Sequence, residues 1–207
     1  MSPDLGFAHR FLPGNDEVGA TLLLLHGTGG NEEDLIPLGQ DLAPGTAILS
    51  PRGKVSEYGA ARFFRRLAEG VFDHEDLLFR THELAEFVVA AAREYGFDPS
   101  KIVAVGYSNG ANVAASTILL HPGLLQAAVL FRAMVPFEPE VTPDLSGMPV
   151  FMAAGRMDRM IPQDNTQRLA DILTEAGAEV DLRWRDVGHP LTYEEVGEAK
   201  EWLSERY

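Results

Sequence analysis

The chain alternates between short, continuously apolar runs and longer stretches whose apolar residues return every three or four positions. The first kind comprises Thr21–His26, Ala47–Ser50, Ile102–Gly106, Ala127–Phe131, Val150–Ala154 and Glu179–Trp184. Most are apolar at successive positions, as strands covered on both faces must be. The second kind, Glu32–Leu42, Glu75–Tyr95, Asn109–Leu120, Gln163–Ala176 and Tyr193–Glu205, predicts helices, with Gly96, Gly123 and Gly177 as stop signals. Strand followed by helix, repeated, predicts an α/β architecture: a mostly parallel central sheet, right-handed crossovers and helices on both faces. Only the connection from Pro51 to about Asp73 is long, which leaves no room for a cap domain. In such a sheet, function gathers beyond the carboxyl ends of the strands.

Composition narrows the picture. At 207 residues, 45% apolar and 23% charged, the chain is expected to form one domain over 1–207 around a single core. A net charge of -14 repels phosphate backbones and anionic lipid, so neither nucleic acid nor a membrane surface is an expected partner. The opening Met-Ser-Pro-Asp-Leu-Gly is neither basic nor apolar, and no later run reaches transmembrane length, so the expected compartment is cytoplasmic. With no cysteine there is no thiolate nucleophile, disulfide or cysteine-held metal.

The run Ile102–Gly106 ends in Gly106-Tyr107-Ser108-Asn109-Gly110 and then resumes as helix-forming residues. This is G-x-S-x-G in the strand, turn and helix setting of a nucleophile elbow, where a strained turn displays the serine above the sheet. A plainer role also fits, because serine is a favoured helix N-cap. A serine hydroxyl becomes a nucleophile only beside a base that a third group orients. In this kind of sheet those partners follow in the order acid, then histidine. Asp158 lies just past the strand Val150–Ala154, and His189 lies between the last strand and the last helix. Asp144, Asp181 and Asp186 are worse placed. Among the other histidines, His121 sits at a helix C-terminus, His74 and His82 in or near a helix, His9 in an edge strand and His26 at a strand end. A working base has to be neutral, so activity is expected to fall below about pH 6 to 6.5.

His26-Gly27-Thr28-Gly29-Gly30-Asn31 follows the strand Thr21–His26 and matches neither a P-loop nor a dinucleotide fingerprint. Its backbone is suited to hold an oxyanion, with Thr28 supplying one N–H and Asn109, after the serine, the other.

Together, "LLLLHGTGG", "GYSNGAN", "GRMDRMIP" and "GHPLTYEE" resemble the phospholipase/carboxylesterase branch of the α/β-hydrolase fold, over nearly the whole chain. The likeness is greatest to small bacterial hydrolases linked to hydroquinone-responsive gene sets, whose Arg-Gly and Arg-Phe-Phe-Arg elements are similar to Pro51–Arg66. Pro190 departs from the glutamine expected after the histidine. The resemblance implies the triad Ser108, Asp158 and His189, no metal or organic cofactor, a small ester or thioester substrate and, in many members, a homodimer.

Arg52, Arg62, Arg65 and Arg66 form a basic island that either receives a substrate anion or pairs with Glu57, Glu69 and Asp73. Arg52, Arg62, Phe63, Phe64, Tyr107 and Arg132 are the candidate substrate contacts; Arg132, at the end of a buried strand, has to be paired, solvated or facing a ligand. The first expectation is a carboxylesterase or thioesterase with an acyl-enzyme on Ser108. A non-catalytic binding or sensor protein of the same fold, or a carbon–carbon or lactone hydrolase, remain the alternatives.

Overall fold

The computed structural model describes residues 5–15 and 19–207; the residues at 1–4, part of the leader reading above, lie outside them. Seven strands make the main sheet: β1 (His9–Leu12), β2 (Thr21–Leu25), β3 (Ala47–Pro51), β8 (Ile102–Tyr107), β9 (Ala127–Phe131), β10 (Pro149–Gly155) and β11 (Glu179–Arg185). Their order is β1-β3-β2-β8-β9-β10-β11, and every pairing is parallel except that of β1 with β3. Five helices follow the strands: α1 (Ile36–Leu42), α2 (His74–Tyr95), α3 (Asn109–Leu120), α4 (Gln163–Glu175) and α5 (Tyr193–Ser204).

The interior strands alternate strictly between two cores. Leu23 and Leu25 of β2, with Ile102 and Ala104 of β8, join α2, α3 and α4 through Phe87, Val88, Ile118, Leu169 and Leu173. Leu22, Leu24, Val103 and Val105 face the other way, against Leu42 of α1 and Trp202 and Leu203 of α5. This period of two, apolar at both phases, is why β2 and β8 read as unbroken hydrophobic runs. Each fully buried leucine contributes about 1.5–3 kcal/mol.

Helix ends follow local chemistry. Asp73 accepts the Asp76 N–H to cap α2, and Gly96 closes that helix in the left-handed region, φ 73°. Helix α1 begins at Ile36 rather than at Glu32. There the side chains of Asn31 and Asp34 bond the N–H groups of Glu33 and Asn31, holding a turn where a helix was expected.

The long connection contains two small antiparallel hairpins, β4 (Val55–Glu57) with β5 (Ala60–Arg62) and β6 (Arg66–Ala68) with β7 (Val71–Phe72). No helical cap is inserted among the described residues, and no described helix is long and apolar enough to cross a membrane.

Candidate active site

Strand β8, central and fully apolar, delivers Ser108 at its carboxyl end. The residue has φ 53° and ψ -113°, a conformation an L-residue adopts only under strain. Two glycines permit the turn. A Cβ on Gly106 would lie 2.7 Å from the Ala111 backbone, and one on Gly110 would lie 1.9 Å from the Leu25 carbonyl oxygen. Ser108 occupies the N-cap position of α3, yet its side chain caps nothing. Its hydroxyl instead stands 3.1 Å from His189 Nε2.

His189 Nδ1 lies 2.7 Å from Asp158 Oδ2. A carboxylate only accepts, so Nδ1 carries the proton and Nε2 presents its lone pair to Ser108. Asp158 is held in turn: its side chain is 1% exposed and Oδ1 accepts the N–H groups of Met160 and Ile161. The other candidate acids are occupied elsewhere, Asp181 by Arg183, Asp186 by Arg156 and Asp144 by Ser146.

The Thr28 and Asn109 N–H groups have no hydrogen-bond partner among the described residues, and both residues line one pocket with Ser108 and His189. Segment 61–64 fastens the two donors, a role no sequence pattern signals. Gly29 N donates to Ala61 O (2.8 Å), Arg62 Nη1 donates to Thr28 Oγ1 (2.6 Å), and Phe63 N donates to Asn109 Oδ1 (2.7 Å). The pocket is small, about 40 Å³, and its lining also includes Phe72, Met134, Met160 and Ile161. A larger pocket of about 220 Å³, between α1 and α5, lies at the opposite end of the strands and holds none of these groups.

Of the candidate substrate contacts, Arg62 lines the pocket; Arg52, Phe63, Phe64, Tyr107 and Arg132 do not. Arg52 pairs with Glu32 at the surface. Phe63 and Phe64, 3% and 0% exposed, anchor the connection in the core. Tyr107 supports His189 from behind, its hydroxyl donating to the His189 carbonyl (3.2 Å).

Arg132 is 1% exposed, and all five of its guanidinium N–H groups are used. Nε reaches the carbonyls of Gly188 and His189 (3.1 and 3.0 Å), and Nη1 and Nη2 reach those of Ala153 and Pro190 (3.2 and 3.0 Å). The two remaining donors grip Glu195, which also caps α5 in a capping box with Thr192. Burial would raise the Glu195 pKa, but the Arg132 hydrogen bond and charge outweigh it and hold the group lowered.

His26 also has a structural place. It accepts the Gly53 N–H at Nε2 (2.9 Å), so its proton is on Nδ1 and goes to the Gly27 carbonyl. The basic island is mostly paired: Arg65 with Asp73 and Asp76, Arg62 and Arg66 with Glu57.

Residues 10–206 match the family model described as phospholipase/carboxylesterase. MhqD of Bacillus subtilis (strain 168), which carries a hydrolase designation, is 46% identical over 184 residues, 89% of this chain and 92% of its own. The crystal structure of the Bacillus cereus carboxylesterase superposes with a TM-score of 0.96 at 48% identity, over 99% of this chain and 96% of that one. A structure of YahD with malic acid superposes at 0.91 with 35% identity, covering 96% and 98%. The chain therefore belongs to the phospholipase/carboxylesterase family of α/β-hydrolases and is a carboxylesterase-type hydrolase.

Proposed function

We propose that this protein hydrolyses small carboxylic esters or thioesters through an acyl-enzyme on Ser108. The observation that carries the reading is the continuous chain from Ser108 Oγ to His189 Nε2 (3.1 Å) and from His189 Nδ1 to Asp158 Oδ2 (2.7 Å). Ser108 attacks the carbonyl carbon as its proton passes to His189 Nε2, and Asp158 stabilises the resulting imidazolium. The oxyanion lies against the Thr28 and Asn109 N–H groups, each such donor lowering the barrier by about 2.7–4 kcal/mol. The tetrahedral intermediate collapses and the alcohol or thiol leaves with the proton from His189. Water, deprotonated by the same base, then frees the acid and restores Ser108.

Two observations support a small acyl group. One is the small pocket of about 40 Å³. The other is the malic acid of the YahD structure, a small carboxylic acid of the kind such hydrolysis releases. Intact mass after exposure to a fluorophosphonate tests the reading. A single adduct mapped to Ser108 and absent from Ser108→Ala is expected; well-folded protein with no adduct would return the site to a binding role.

A further inference from the structure

Arg62 and Arg66 both line the pocket that holds Thr28, Ser108 and His189. The carboxylate of Glu57 lies between them. Arg66 Nε donates to both of its oxygens (3.0 and 3.1 Å), and Arg62 Nε stands 3.3 Å from one of them. One negative charge thus serves two positive ones.

Their hydrogen bonds leave part of each guanidinium unused. Arg62 uses Nε on the Phe64 carbonyl and Nη1 on Thr28 Oγ1. Its Nη2, and both terminal nitrogens of Arg66, have no partner among the described residues. Arg62 is 3% exposed and held at two points, so it cannot swing out to water. Burial, and next the charge of Arg66, hold its pKa below the ordinary arginine value, only partly offset by Glu57. Glu69 lines the same pocket, but it is exposed and makes no ion pair among the described residues. The same lining includes the apolar Phe72, Met134 and Ile161. A bound group therefore meets both cationic donors and hydrocarbon. Of the two described carboxylates beside these arginines, Glu57 is already engaged by both, and Glu69, in the pocket lining, pairs with neither. Elsewhere the chain is strongly acidic, net -14.

We propose that Arg66, backed by Arg62, is an anion subsite that selects esters bearing a second, ionised carboxylate close to the scissile bond. Half-esters of small dicarboxylic acids and esters of small hydroxy acids share that chemistry, and a guanidinium with free terminal N–H groups is suited to receive it. The proposal rests on the serine-hydrolase reading above.

Initial rates with two matched pairs of esters test it. Monoethyl succinate against ethyl pentanoate places the charge on the acyl side, and 3-acetoxypropanoate against butyl acetate places it on the alcohol side. The kcat/KM of one anionic ester is expected to exceed that of its neutral partner by roughly tenfold. Because the ratio is taken within each variant, a change in the fraction of folded enzyme cancels. Arg66→Gln should bring the ratio toward one, Arg66→Lys should keep much of it, and added salt should shrink it. Anionic esters turned over no faster than their neutral partners, or an advantage that Arg66→Gln leaves intact, would overturn the subsite alone. No turnover of any of the esters together with no fluorophosphonate adduct on Ser108 would be the failure of the hydrolase reading, and the subsite would fall with it.

Discussion

Arg132 and Glu195, 63 positions apart, meet in a two-point ion pair inside the protein, at 2.6 and 2.9 Å, with side chains 1% and 0% exposed. The same guanidinium grips the carbonyls around His189, so fold stability and placement of the proposed base share one residue. Arg132→Met strands the Glu195 carboxylate in the interior, which is expected to destabilise the protein by about 3–5 kcal/mol. Urea unfolding measures this; a loss below about 1 kcal/mol would mean that the buried pair is not what holds this region.

Strain at Ser108 separates two replacements that chemistry alone would equate. Ser108→Ala and Ser108→Gly both remove the hydroxyl, and both should lower kcat by about 10⁴-fold or more. At φ 53° and ψ -113°, however, only glycine sits at ease. Ser108→Gly is expected to gain about 1 kcal/mol over Ser108→Ala in thermal unfolding. Equal melting temperatures for the two would show that the turn stores no strain.

Much of this was legible because strand ends are chemical addresses. Ser108, Asp158 and His189 each lie just beyond a strand, and the structure brings these three within hydrogen-bond distance. The six apolar runs all became strands of the main sheet. What the pattern concealed is of another kind. Hairpin strands of two or three residues are too short to show a period, so β4 to β7 read as plain connection. The grip of Arg62 on Thr28 and that of Phe63 N on Asn109 span 34 and 46 positions and follow no repeat. Arg132 announced itself as a charge in need of a partner, but nothing local pointed to Glu195.

Two helical glycines should respond oppositely to alanine. At Gly110 the added Cβ meets the Leu25 carbonyl oxygen at 1.9 Å, backbone that cannot move without shifting β2, and Gly110→Ala is expected to cost more than about 4 kcal/mol or prevent folding. At Gly197, inside α5, nothing lies within 4 Å, and Gly197→Ala should stabilise by up to about 1 kcal/mol. Soluble yield and denaturant midpoints check both; a well-folded Gly110→Ala at wild-type stability would contradict the close approach of α3 to β2.

Acid sensitivity has an identifiable source in His26. Burial outweighs the Gly27 carbonyl and the Asp34 and Glu32 charges and holds its pKa below the ordinary histidine value. In the unfolded chain the residue regains an ordinary pKa of about 6.5. Below that pH the unfolded state takes up a proton that the folded state refuses. The stability contributed is therefore complete above about pH 6.5 and is lost as pH falls toward the lowered native pKa. Protonation would also remove the lone pair that accepts the Gly53 N–H. His121 shifts in the same direction, through burial and the nearby His82. His26→Gln should accordingly flatten, without abolishing, the slope of unfolding free energy between about pH 7.5 and 5.5. An unaltered slope would place the acid sensitivity elsewhere.

Strand β11 lies at the edge of the sheet and, among the described residues, pairs only with β10. Edge amides are the first to exchange with solvent, and a loop hung on such a strand would breathe with it. The loop carrying His189 escapes that fate because its carbonyls are riveted to Arg132 at the end of β9, nearer the middle of the sheet. Fraying of the rim is thereby uncoupled from the position of the imidazole.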